Sequence, residues 1–320
     1  MQHSAPDDVD RYAIELLTTQ PDRCVARYRA NYRLGPEQPL TEDMVRQHWL
    51  LERALTRALL DSSPADRAAV AERAYTALYR QCPWLTRSAG PESTGALARE
   101  YGHFARLLRN RRTVYEVGSG QGRLIRFLAG RGHVCVATEI TSERGRRLAG
   151  EDGVAWHTTD GVHLGDYEPA GHYDAVISTQ VVEHLHPEDI GTHCANVRAI
   201  LATGGIYVFD TPHRLFGPSD LSRIFGLDAP VCMHLKEYTY AELARELYAA
   251  GFSRVEAVFM PPRRARGLIR AVSASQSYLD LAIRLEAVAG RLAGRARRSL
   301  GAALTASGLL RRDVSLCATK

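Results

Sequence analysis

Apolar residues recur along this chain in two rhythms. Up to about residue 88 they fall three or four apart: Tyr12, Leu16 and Leu17; Trp49 to Leu51, Leu55, Leu59 and Leu60; then Val70, Ala74, Ala77 and Leu78. A helical turn holds 3.6 residues, so this spacing gathers them on one face and predicts a series of amphipathic helices. Pro83 and Ser88-Ala89-Gly90-Pro91 close the series. From Val114 onward, short apolar and β-branched runs (114–117, 134–140, 154–157, 173–178, 201–212, 252–259 and 313–320) alternate with helical stretches such as 95–110 and 240–250. Gly251 ends the second of these as a C-cap. The alternation predicts an α/β fold: a doubly wound, mostly parallel sheet of seven strands, whose ligands bind beyond the carboxyl ends of the strands. The chain then divides into a helical cap over 1–90, an α/β domain over 91–262, a helical insertion over 263–312, and the last strand of the sheet at 313–320.

The chemistry begins where the first strand ends. Val114-Tyr115-Glu116-Val117 runs into Gly118-Ser119-Gly120-Gln121-Gly122, and Leu124, Ile125, Phe127 and Leu128 follow at helical spacing. That is strand, tight turn, helix start. Glycines let the backbone turn sharply and approach a ligand closely, and a helix N-terminus offers free N–H groups to polar or anionic atoms. Glu116, just before the turn, is awkward for a dinucleotide phosphate and useful against a cationic amino acid. Glu139 closes the second strand 19 residues after Gly120, where such folds place an acid against ribose hydroxyls. Further along, Asp160-Gly161, Gln180, Glu183, His184 and Thr211 fall at the same carboxyl edge.

Composition alters this picture little: 320 residues, 45% hydrophobic and 24% charged, describe an ordinary globular protein with a sizeable core. Six scattered cysteines without paired spacing point to a reduced, cytoplasmic protein. The N-terminus lacks the apolar core of a signal peptide, and no apolar stretch is long enough to span a bilayer. Charge distribution says more. Eleven arginines against Asp280 and Glu286 give 263–312 a local charge of +9 in a chain of net +5. Leu281, Leu285, Val288 and Leu292 recur there at helical spacing. Either this is a basic amphipathic surface for an anionic membrane or an acidic carrier, or the stripe packs on the α/β domain or a second subunit of a homodimer.

Taken in order, five features are highly specific: Glu116-x-Gly118-x-Gly120-x-Gly122, the acid Glu139, Glu183-His184-Leu185, Gly204-Gly205 before the fifth strand, and Ala250-Gly251-Phe252 before the sixth. The chain resembles the class I S-adenosylmethionine (AdoMet) methyltransferases, with their Rossmann-like fold. The resemblance implies AdoMet as cofactor, with Gly118, Ser119, Gly120 and Gly122 along its methionine and ribose. It sets Glu116 near the cationic amino end, Glu139 on the ribose hydroxyls, Asp160 and Gly161 at the adenine, and Gln180 at the cofactor edge. Gln180-x-x-Glu183-His184 is similar to a segment of two groups, the ubiquinone-pathway O-methyltransferases and the RNA 3′-terminal 2′-O-methyltransferases. In both, that segment holds a divalent ion. Here the metal candidates would be Glu183, His184 and His234, but neutral Gln180 replaces a charged ligand, so the expectation is a metal-free site. The expected reaction is O-methylation of a small-molecule hydroxyl on a sugar, phenol or natural product. His184 is the first candidate for the base, His234 the second and His186 a third, better read as a capping residue. The alternatives are an RNA 2′-O-methyltransferase and an inactive AdoMet-binding regulator.

Overall fold

The computed structural model describes residues 6–85, 94–142, 153–259, 273–292 and 294–320. They form two compact units, one of residues 1–87 with 217–235, the other of 88–216 with 236–320. The segment 217–235, which sequence pattern leaves inside the 91–262 domain, thus belongs with the N-terminal helices.

The first unit is built on α1 (Pro6–Thr19), α2 (Pro21–Asn31), α3 (Glu42–Leu60) and α4 (Arg67–Gln81). Thr41 caps α3, accepting from the Met44 amide at 3.2 Å, which satisfies one of the free N–H groups of the first turn. The helices enclose a core of Leu17, Tyr28, Val45, Trp49 and Leu78, to which 217–235 adds Leu221, Ile224, Phe225 and Met233. Arg27 donates to the Ile224 carbonyl at 2.9 Å and Arg53 to that of Val231 at 2.6 Å. Buried polar groups need partners, and a chain of them crosses this core. Trp84 Nε1 donates to the Tyr28 hydroxyl at 2.7 Å, that hydroxyl lies 2.8 Å from His48 Nδ1, and His48 Nε2 lies 2.7 Å from Glu52.

The second unit is a sheet of β1 (Thr113–Val117), β2 (Val134–Glu139), β3 (Ala155–Thr158), β4 (Tyr173–Thr179), β5 (Leu201–Pro212), β6 (Arg254–Phe259), β7 (Ser273–Ser275) and β8 (Asp313–Thr319). Its order is β3-β2-β1-β4-β5-β8-β6-β7. The first five strands are parallel, and β8 lies antiparallel between β5 and β6. The eighth strand, beyond the seven expected, is β7. It is three residues of Ser-Ala-Ser paired antiparallel with β6, too short and too small in side chain to register as a strand pattern.

Strand residues alternate between two cores. Val114, Ala175, Ile177 and Val208 face α5 (Thr94–Leu107) and α6 (Arg123–Ala129) through Phe104, Leu124 and Phe127. Tyr115, Val176, Tyr207 and Phe209 face α7 (Ile190–Ile200), α8 (Tyr240–Ala249), α9 (Gln276–Gly290) and α10 (Gly294–Ser307). Central parallel strands covered on both faces require the near-continuous apolar runs seen in the sequence.

An acid of the insertion ties it to the start of α8. Glu286 of α9 accepts from the Tyr240 amide at 2.7 Å and the Ala241 amide at 3.3 Å, and lies 2.8 Å from His213 Nε2. Thr239 and Glu242 form a capping box on the same α8 terminus. The buried face of α9 is Leu279, Ala282 and Ala289, where small side chains let the helix come close to the sheet. The expected stripe is turned elsewhere: Leu281, Val288 and Leu292 are exposed and only Leu285 is partly buried. Arg263, Arg264, Arg266 and Arg270 lie outside the described residues, as do the side chains of Arg295, Arg297 and Arg298. Among the described residues, all six cysteines are buried and free, and no helix is long and apolar enough to cross a membrane.

Candidate active site

Strand order reverses between β1 and β4, so the crossovers leave on opposite sides and open a crevice beyond the end of β1. The glycine turn stands there. Gly118, Gly120 and Gly122 all have positive φ, at 65°, 58° and 71°, a region that residues with a Cβ rarely enter. Space excludes side chains as well. A Cβ on Gly118 would lie 2.5 Å from Val181 Cγ2, and one on Gly122 would lie 2.9 Å from Trp156. Ser119 straps the turn to β2: its amide donates to the Thr138 carbonyl at 2.7 Å and its hydroxyl accepts from the Thr138 amide at 3.2 Å.

Two acids flank this turn. Glu139 accepts from the Gly120 amide at 2.6 Å through one oxygen and from the Ile140 amide at 3.2 Å through the other. Glu116 is 1% exposed, and its Oε2 has no hydrogen-bond partner among the described residues. Burial pushes its carboxyl up to about 8, and repulsion from Glu139 adds to that, against the hydrogen bonds of Ser119 and the Ile125 amide. A buried acid with an unused oxygen beside a cradle too tight for any Cβ suits a cationic, close-approaching ligand such as the amino-acid end of AdoMet.

The third side of the crevice is the turn after β3. Asp160 Oδ1 accepts from the Val162 and His163 amides, each at 2.8 Å, and Oδ2 lies 2.6 Å from His163 Nδ1. Gly161 turns the chain at φ 75°.

The fourth side follows β4. Gln180 takes the left-handed region at φ 54°, unusual for a side-chain-bearing residue. Its amide donates to the Asp210 carbonyl at 2.9 Å and its side chain to Asp210 Oδ1 at 3.2 Å. Glu183 is fully buried and accepts from Thr211 Oγ1 at 2.8 Å. His184, with its side chain 27% exposed, holds Nε2 3.9 Å from the other oxygen of Glu183. His186 Nδ1 accepts from the Glu188 amide at 3.3 Å, a turn-capping contact.

His234 belongs to the first unit, where the segment leading to it is clamped. The Cys232 amide donates to Asp220 at 3.0 Å and the Met233 amide reaches Glu52 at 3.5 Å.

Asp210 was not among the sequence candidates. Burial and the neighbouring Asp313 push its carboxyl up to about 7, against the opposing pull of Gln180 and Arg311. The one sequence signal was an acid near the end of an otherwise apolar strand.

A family model described as a methyltransferase domain matches residues 92–257. The chain belongs to this methyltransferase family and is an enzyme that uses S-adenosylmethionine as its methyl donor. No curated protein matches it. Similar solved structures include an AdoMet-dependent methyltransferase from Archaeoglobus fulgidus, 17% identical over 71% of this chain and 95% of that one, with a TM-score of 0.48. Another is the 1,6-didemethyltoxoflavin N1-methyltransferase of Burkholderia thailandensis, solved with 1,6-didemethyltoxoflavin and S-adenosylhomocysteine. It is 20% identical over 64% of this chain and 86% of that one, with a TM-score of 0.47.

Proposed function

We propose that the chain transfers the AdoMet methyl group to a hydroxyl of a small molecule: a sugar, a phenol or a natural product of the kind handled by ubiquinone-pathway O-methyltransferases. The observation that carries the cofactor side is Glu116, buried with an oxygen unused, two residues before the first of three left-handed glycines. Its carboxylate would receive the cofactor's ammonium group, Gly118 to Gly122 would follow the methionine and ribose, and Glu139 would accept from the ribose hydroxyls. Asp160 and Gly161 would hold the adenine, and Gln180 would border the sulfonium end.

The bound cofactor supplies an electrophilic methyl group on a sulfonium. The chain then has to orient the acceptor and remove its proton. His184, partly exposed at the end of β4 with the Glu183 carboxylate beside it, is the group we assign to that proton. Asp210, poised near neutrality, is the second, and His234 the third.

The test is a screen of metabolite and RNA pools with methyl-labelled AdoMet, followed by turnover of His184→Ala. Label in a small molecule, with turnover lost over the whole pH range in the variant, is the expected result. Label at ribose 2′ positions of RNA would replace the acceptor class. No label in any pool, with AdoMet still bound, would instead mark an AdoMet-binding regulator. Activity that survives exhaustive chelation would leave the proton to these side chains rather than to a divalent ion held by Glu183, His184 and His234.

A further inference from the structure

Beneath the crevice lies a histidine that the chemistry above does not use. His193 of α7 is fully buried. Its Nδ1 is 2.6 Å from the Gly161 carbonyl and its Nε2 2.9 Å from the Tyr207 hydroxyl, which in turn is 2.9 Å from Ser178 Oγ. A carbonyl oxygen carries no proton, so Nδ1–H must donate to Gly161. Burial pushes the imidazole down to about 4, against the pull of that hydrogen bond and Asp160, so the ring is neutral and Nε2 is an acceptor. The Tyr207 hydroxyl therefore donates to Nε2, and the Ser178 hydroxyl donates to Tyr207. Each member has one direction open to it. The chain runs from strands β4 and β5, which carry Ser178 and Tyr207, to one carbonyl of the turn after β3.

That turn is held on its other sides too. The Thr159 amide donates to the Glu139 carbonyl at 3.0 Å, and a Cβ on Gly161 would meet Val117 at 3.4 Å and Leu185 at 3.8 Å. The only side-chain donor to the Gly161 carbonyl among the described contacts is His193.

We propose that His193, locked in one tautomer by Tyr207 and Ser178, is a positioning residue that fixes the Asp160–Gly161 turn so that it reads the amino group of the cofactor's adenine. This rests on the assignment of that turn to adenine made under Proposed function. A fixed turn presents Asp160 at one angle, and a site that hydrogen-bonds an N–H rejects an analogue lacking it because its own polar group is then left unpaired. A loosened turn loses that discrimination first.

The test compares calorimetric affinities for S-adenosylhomocysteine and S-inosylhomocysteine, in which an oxygen replaces the adenine amino group. The wild-type enzyme is expected to prefer adenine by about tenfold or more. In His193→Leu the ratio of the two affinities should fall by about five-fold, and in Tyr207→Phe by less. His193→Asn, which retains a donor in place of Nδ1–H, should restore it. Tyr207→Phe preserves the core volume and answers the question even if His193→Leu does not fold. Equal weakening of both ligands, or an unchanged ratio in Tyr207→Phe and in a folded His193→Leu alike, would overturn the proposal and leave His193 a packing residue. Asp160→Ala separates the two readings. If it leaves the wild-type ratio intact, the adenine assignment fails and the proposal with it. If it abolishes the ratio while the His193 and Tyr207 variants do not, only the role of His193 fails.

Discussion

Glu116 carries a cost that a cation would relieve. With its carboxyl raised to about 8, the fold holds this group protonated at neutral pH, whereas an unfolded chain would ionise it. An acid raised in the folded state stabilises the fold fully below its ordinary value and loses that contribution as pH climbs to about 8. An ammonium group beside it favours the carboxylate and draws its pKa back down, so cofactor binding below pH 8 should expel a proton. Affinity for AdoMet should then rise with pH by up to about tenfold per unit and level off near that value. Calorimetry in buffers of different ionisation enthalpy checks this, and Glu116→Gln should abolish the proton release; identical heats in every buffer would refute it. Glu139, beside it, is already anchored on the Gly120 amide. Hydrogen bonds to a charged group contribute roughly 1.5–3 kcal/mol. Glu139→Ala should therefore weaken AdoMet binding about tenfold or more.

At the level of elements, the loop after β1 and helix α9 owe their places to opposite causes. The loop is fixed by backbone sign: Gly118→Ala would put a methyl group 2.5 Å from Val181 at a φ of 65°, and should abolish AdoMet binding while lowering the melting temperature. Helix α9 is fixed by tertiary partners, its buried face and the acid Glu286. Glu286 accepts from two amides of α8 and faces His213, which is fully buried. Removing one partner of such a group leaves the others buried and unsatisfied, at a cost of roughly 3–5 kcal/mol. Glu286→Ala should lower the denaturation midpoint accordingly, with Glu286→Gln intermediate; an unchanged midpoint would show that the tether is dispensable. Deleting 263–310 removes this acid and should cost the second unit its fold, seen as loss of the cooperative melting transition.

Over the whole molecule, charge is concentrated rather than spread, with +9 in 263–312. An acidic acceptor or carrier would meet that charge directly. Exposed charge pairs are screened by salt, so the KM for the acceptor should rise with ionic strength while AdoMet affinity stays level. An acceptor KM indifferent to salt would assign the arginines to solvent. In the first unit, burial raises Glu52 but adjacent His48 outweighs it, and the carboxyl ends below its ordinary range. An acid lowered in this way stabilises the fold above the ordinary carboxylate range and loses that contribution as pH falls through its lowered value. Acid unfolding monitored by circular dichroism should shift to higher pH in His48→Phe.

The sequence by itself determined what depends on neighbours a few residues away. Three glycines where the turn needs positive φ, an acid before them, Glu139 at the end of β2 and the change of apolar period near Val114 are local facts, and they were enough to predict the fold. Tertiary structure decided what depends on distant partners. Strand β7 exists only because β6 offers it hydrogen bonds, since Ser-Ala-Ser has no strand preference of its own. Segment 217–235 joins the first unit because Arg27 and Arg53, far away in sequence, satisfy its carbonyls. The single tautomer of His193 and the raised carboxyl of Asp210 come from burial, which no pattern of residue types along the chain records.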